Sequence, residues 1–267
     1  MDRLADGAGS GNNQSNAPLA MPMRLHIDHH RDGEVVTIVA IGELDHVSGE
    51  PLTKLLADSQ SQAASNVVLD LRALDFMDST GLGIMLDADR RAAAQGGVFT
   101  IIPGDAAMHL LTATGLSDRL RLGTATGDPP VRPDPPAPQQ VTGDLDRRFP
   151  ARKEAVGDSR RAFDAAFPEL SDAVRDDARI IVSELVTNGI RHGAGDDGWV
   201  RLVVRREQDL LRIEVTDSDG SDTRPHIPER DPERTSGWGL MLVERLASQW
   251  GVSAGGVTTV WCELAVA

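Results

Sequence analysis

Apolar residues recur on two periods along this chain, and the switch between them divides it into elements. Residues 24–30 (RLHIDHH) and 34–44 (EVVTIVAIGEL) alternate with period two around Arg31-Asp32-Gly33, which predicts a hairpin with a short Asp-Gly turn. Val47, Leu52, Leu55 and Leu56 take up helical spacing with Pro51 near the first turn. NVVLDLR (66–72) and GVFTIIP (97–103) read as buried strands. Leu82, Met85 and Leu86 mark one helix and residues 106–114 another. The order β-β-α-β-α-β-α predicts a mixed sheet with helices mainly on one side.

The pattern then lapses. Residues 123–143 hold six prolines and few apolar positions, and read as an extended, semi-rigid linker. From 144 to 267 periodicity returns. LDRRFPA is a candidate strand, with helices near 152–166 and 171–192. Strands WVRLVVRRE and LLRIEVTD precede a loop at 218–236. A helix over 238–250 and strands near 251–254 and 257–266 close an α/β sandwich. Residues 1–22, rich in Gly, Asn, Ser and Ala, lack any period and are expected to be a disordered tail. The expected organisation is therefore a tail, a domain at 23–122, the linker, and a domain at 144–267, both of α/β class.

Charge narrows the function. The net charge of −14 with no Lys/Arg-rich block argues against a nucleic-acid surface. No apolar run is long enough to span a bilayer, so no membrane partner is expected. The single Cys262 cannot form an internal disulfide, which suits a cytoplasmic protein, and it reads as a buried strand residue. His26, His29, His30 and His46 lack acids at metal-ligand spacing and read as solvated strand ends. His109 is expected to be ordinary surface or core. Arg160, Arg161, Arg191 and Arg201 are candidates to help bind phosphate, with solvated faces the expected placement.

Two stretches carry chemistry. In FMDSTGLGIML (76–86), Asp78 or Ser79 can cap a helix, while Gly81 and Gly83 are poor helix formers and suggest a close backbone approach. In SELVTNGIRHG (183–193), Glu184 and Asn188 stand one helical turn apart. A carboxylate beside an amide oxygen suits a positioned base and a hard cation such as Mg²⁺. Asp217 ends a strand with Gly220 in the following turn. Gly237 and Gly239 open a helix, where free N–H groups attract phosphate.

In this order, the motifs of 144–267 resemble the GHKL (Bergerat-type) ATPases, specifically the anti-sigma-factor serine kinases of bacterial partner switching. The family's N box matches Glu184 through His192, its adenine-binding Asp-x-x-Gly matches Asp217–Gly220, and its phosphate-lid glycines match Gly237 and Gly239. Thr259 stands where a nucleotide-facing Thr often lies. Trp238 departs from the pattern, since a smaller or basic residue is more usual there, and no Lys follows Gly239. GELDHVSGE and FMDSTGLGIML resemble STAS-domain anti-sigma-factor antagonists, whose phosphate-accepting Ser corresponds to Ser79. The resemblance implies ATP and Mg²⁺ as cofactors, Mg²⁺ held through Asn188, Glu184 as base and adenine read by Asp217. It also implies a sigma factor, antagonist or kinase domains, and a serine phosphatase as partners. Transfer in cis or in trans and homodimer formation are left open. The alternative is a non-catalytic nucleotide-binding or docking module that regulates a sigma factor by protein–protein contact alone.

Overall fold

The computed structural model describes residues 25–61, 66–125, 129–130, 144–192, 198–218, 237–254 and 257–266. The tail, most of the linker, most of the loop at 218–236, and Gly220 lie outside them.

The N-terminal unit begins with β1 (His26–Asp32) and β2 (Val35–Leu44), an antiparallel hairpin turning through Gly33 and Glu34, one residue beyond the Asp-Gly expected. Gly33 takes a positive φ of 59°, which glycine adopts without a Cβ penalty. Next come α1 (Gly49–Gln60), β3 (Asn66–Met77), α2 (Ser79–Ala94), β4 (Val98–Pro103) and α3 (Asp105–Thr114). The sheet order is β1-β2-β3-β4, with β2–β3 and β3–β4 parallel, so the sheet is mixed. β3 runs five residues past the expected NVVLDLR. The segment ALDFM stays extended because its residues continue the pairing with β2 as far as Leu44–Met77.

The C-terminal unit comprises β5 (Leu145–Pro150), α4 (Glu154–Ala166), α5 (Asp172–His192), β6 (Trp199–Glu207), β7 (Leu210–Asp217), α6 (Gly239–Leu246), β8 (Gln249–Ala254) and β9 (Thr258–Ala265). Its antiparallel sheet runs β5-β6-β7-β9-β8 under α4, α5 and α6. The helix expected over 238–250 ends at Leu246. Ala247 is already extended, and Gln249 and Trp250 pair with Glu263 and Cys262, so the sheet edge claims residues whose spacing also fits a helix. Cys262 is fully buried on β9, and burial pushes its thiol up to about 12, which leaves it unreactive.

The two units dock. Ile180, Trp238 and Leu242 from the C-terminal unit belong to the hydrophobic cluster built by β2, β3 and α1–α3. Among the described residues no helix is long and apolar enough to cross a membrane.

Candidate functional site

Helix α2 starts at Ser79 because Asp78, in extended conformation, accepts a hydrogen bond from the Thr80 amide at 2.8 Å. Asp78 is therefore the cap, which leaves Ser79 free to reach across to the other unit. The Ser79 hydroxyl donates to Glu184 Oε2 and its amide donates to Oε1, each at 2.8 Å. Glu184 lies on α5 with its carboxylate against the start of α6. A Cβ on Gly239 would overlap that carboxylate in its present position, so the glycine lets the carboxylate lie where it does. Gly81 has a different role from the one expected. A Cβ there would strike Met77 of its own unit, so its absence serves internal packing, while Gly83 lines the cavity described next.

A cavity of about 330 Å³ opens beside Ser79. Glu184, Thr187, Asn188 and Arg191 line it from α5, and their i, i+3, i+4, i+7 spacing places them on one stripe of that helix. Gly237 and Gly239 form another wall, and His46 and Asp87 close the side of the N-terminal unit. His192 ends α5. Asp217 is buried at the end of β7, and a Cβ on Gly189 would sit 3.7 Å from its own Cβ. Thr259 shares a 2.8 Å hydrogen bond with Thr216. The structure thus brings Ser79, Glu184, Asn188, Gly237 and Gly239 together around one cavity. Asp217 and Thr259 stand outside its lining, on neighbouring strands behind α5.

Burial shifts both acids at this contact. Glu184 is pushed up to about 7 by desolvation and then by the neighbouring Asp78 charge. Asp78 rises to about 6 by desolvation and then by Asp45. Both are raised relative to an unfolded chain, so their contribution to stability is complete below the ordinary carboxylate range. It is lost as pH rises through 6 and 7.

Arg160 anchors the docking and corrects the expectation of a solvated face. It is 1% exposed, stacks on Phe76, and donates to Glu43 at 2.7 Å, to Asp45 at 2.5 Å and to Ser183 at 2.9 Å. Burial alone would lower its pKa, but the two carboxylates outweigh that and hold it above the usual range. Arg179 donates to the other Glu43 oxygen at 2.6 Å. On another part of the contact, His109 meets Asp177 at 2.7 Å, and this hydrogen bond raises its pKa, so His109 is an interface residue. Of the remaining arginines, Arg161 pairs with Asp158 and Arg201 with Asp146, while Arg191 faces the cavity. No local pattern marks Arg160 or His109, because their partners lie 115 to 117 and 68 residues away.

The donor set fits a magnesium nucleotide. An amide oxygen, a threonine hydroxyl, a carboxylate and a guanidinium face one space, and two cavity-lining glycines keep a wall free of side chains. With Asn188→Ala, Mg²⁺-dependent nucleotide binding should fall at least tenfold, measured by titration with and without a chelator.

Comparison with known proteins places both units. Residues 26–128 match the family described as the STAS domain, and residues 149–262 match the histidine kinase-like ATPase domain. An anti-sigma F factor antagonist from Paenibacillus polymyxa is 31% identical over 98 residues, covering 36% of this chain and 82% of that protein. Among solved structures, an anti-sigma factor antagonist from Mycobacterium paratuberculosis is 24% identical. The match covers 40% of this chain and 92% of that one, with a TM-score of 0.36. The Bacillus cell fate determinant SpoIIAA in its phosphorylated form is 26% identical, covering 38% of this chain and 92% of that one, with a TM-score of 0.33. The chain belongs to the STAS-domain anti-sigma factor antagonists, joined here to a histidine kinase-like ATPase domain.

Proposed function

We propose that this chain is a partner-switching regulator whose ATPase unit is a serine kinase acting on Ser79 of its own antagonist unit. The observation that carries this reading is the 2.8 Å hydrogen bond from the Ser79 hydroxyl to Glu184. An acceptor oxygen and a base are already within proton-transfer distance. When bound, Mg-ATP supplies the phosphoryl group and the cation that neutralises charge building on it. Asn188 and Thr187 would hold the metal and its waters, and Gly237 and Gly239 would leave backbone N–H groups open to phosphate. Ser79 Oγ gives its proton to Glu184 and takes the phosphoryl group, with ADP leaving. Few side chains need to act, because phosphoryl transfer is mainly positioning and charge stabilisation. In this reading the docked antagonist unit occupies the ATPase unit, and its release frees that unit for a sigma factor. A phosphatase would restore the start.

With labelled ATP, phosphate should appear on wild type and vanish in Ser79→Ala. The rate per molecule should be constant across a hundredfold dilution, because the acceptor and base meet within one chain. A rate that rises in proportion to concentration would place transfer between chains. Label retained on Ser79→Ala outside Thr80 would rule out Ser79 as acceptor.

The docking-module alternative draws on the shared hydrophobic cluster and the buried Arg160 network, which hold the units together without turnover. It requires that wild type bind nucleotide, or none, and incorporate no phosphate.

A further inference from the structure

Between the two cavity-lining glycines stands the bulkiest side-chain type, and it turns away from the cavity. Trp238 is 8% exposed and belongs to the hydrophobic cluster of the antagonist unit, together with Ile180 and Leu242 of its own unit. Its indole N–H is buried with no acceptor among the described residues. The position therefore gains from apolar burial and shape, and not from a hydrogen bond. Its backbone is fixed on both sides. Gly237 has φ of +81°, a conformation that glycine adopts readily and other residues rarely, and Gly239 abuts the Glu184 carboxylate. Trp238 is bonded directly to both of these glycines, and both are walls of the cavity, so a backbone shift at the anchor reaches the wall at once.

We propose that Trp238 is an apolar docking anchor for the STAS unit, beside the polar anchor Arg160, and that it couples docking to nucleotide binding through the cavity wall formed by Gly237 and Gly239. The coupling rests on the reading of that cavity as the nucleotide site. By linkage, whatever docking does to nucleotide affinity, nucleotide does equally to docking. The specificity follows as well. An ATPase unit with a small or basic residue at this position would lack the anchor, so Trp238 favours an antagonist unit with the matching apolar cluster.

The test uses four full-length chains: wild type, Arg160→Ala, Trp238→Ala and the double variant. Arg160 does not itself line the cavity, so Arg160→Ala removes no cavity-lining side chain of the ATPase unit and acts on the site only through docking, which carries the His46 and Asp87 wall with it. Affinity for a non-hydrolysable ATP analogue with Mg²⁺ is measured by calorimetry. Arg160→Ala should weaken it about tenfold in the wild-type background and less than about twofold in the Trp238→Ala background. Equal losses in both backgrounds, or no loss in wild type, would overturn the coupling.

Tryptophan emission supplies an arm that needs no nucleotide. Arg160→Ala should shift emission to the red, and that shift should disappear when Trp238→Phe is also present. Unshifted emission would overturn the anchoring role. Should circular dichroism show that Trp238→Ala has lost helix, Trp238→Leu takes its place in the cycle. An analogue that fails to bind wild type at all would remove the nucleotide reading of the cavity and the coupling with it. Binding that ignores docking would remove the coupling alone.

Discussion

Glu184→Gln should slow phosphoryl transfer to Ser79 by about 10²–10⁴-fold, the range that a positioned general base contributes. Glutamine keeps the shape and can still meet the Ser79 amide, but it cannot take the hydroxyl proton. Nucleotide affinity should change little, because the carboxylate faces Ser79 while, on the proposed reading, Asn188 would offer the metal its oxygen. The pH profile gives an independent check. Burial and the Asp78 charge push Glu184 up to about 7, so the wild-type rate should climb from pH 5.5 and level off above about 7.5, as the base loses its proton. In Glu184→Gln that climb should be absent. Single-turnover labelling across this range decides the matter, and a variant within about threefold of wild type would remove Glu184 as the base.

The second large effect concerns docking. Arg160→Ala leaves Glu43 and Asp45 facing a desolvated contact without their shared cation, although Arg179 still reaches Glu43. Removing one partner of a buried ion pair costs about 3–5 kcal/mol. Arg160 is buried against residues of the other unit, so the cost should fall on the docked state. The docking equilibrium should shift by about two to three and a half orders of magnitude, which is what that energy implies. Small-angle scattering should then report a more extended chain. Transfer to Ser79 at low protein concentration should fall with it. Arg160→Lys should not rescue, because one ammonium cannot span Glu43, Asp45 and Ser183 as the guanidinium fork does. A compact Arg160→Ala chain with wild-type transfer would rule out this arginine as an anchor.

Hydrophobic period made most elements readable, because each strand and helix answers to its own neighbours first. The alternation of 34–44 became β2, and the helix expected near 171–192 became α5, with Ile181, Leu185 and Val186 on its buried face. Errors fell where two periods overlap. Gln249 and Trp250 suit a helix face as well as a strand, and pairing with β9 decided the outcome. At the site, the Ser79 and Glu184 motifs were legible singly, since each sits in a short run with its own local logic. Their meeting was not, because it depends on how two units pack across 105 residues of sequence. Arg160 and His109 were misread for the same reason. A lone charge in a helix gives no sign of a partner on another unit. Trp238 did stand out in the sequence, and only the packing gave that oddity a direction.

The place of Ser79 between Asp78 and Glu184 bears on what happens after a turnover. A phosphoserine carries about −1.5 to −2 charges near pH 7. Both neighbouring acids are already raised by burial before that charge arrives. At an effective dielectric of 20, a like-charge pair about 4 Å apart costs about 4 kcal/mol, so once Glu184 has passed on the proton it took, its charge should push the phosphoserine out of the contact. On the function proposed above, such a chain would fire once. It would then keep its mark until another enzyme erased it, and a population of such chains would be a running tally of past ATP exposure, not a gauge of the present level.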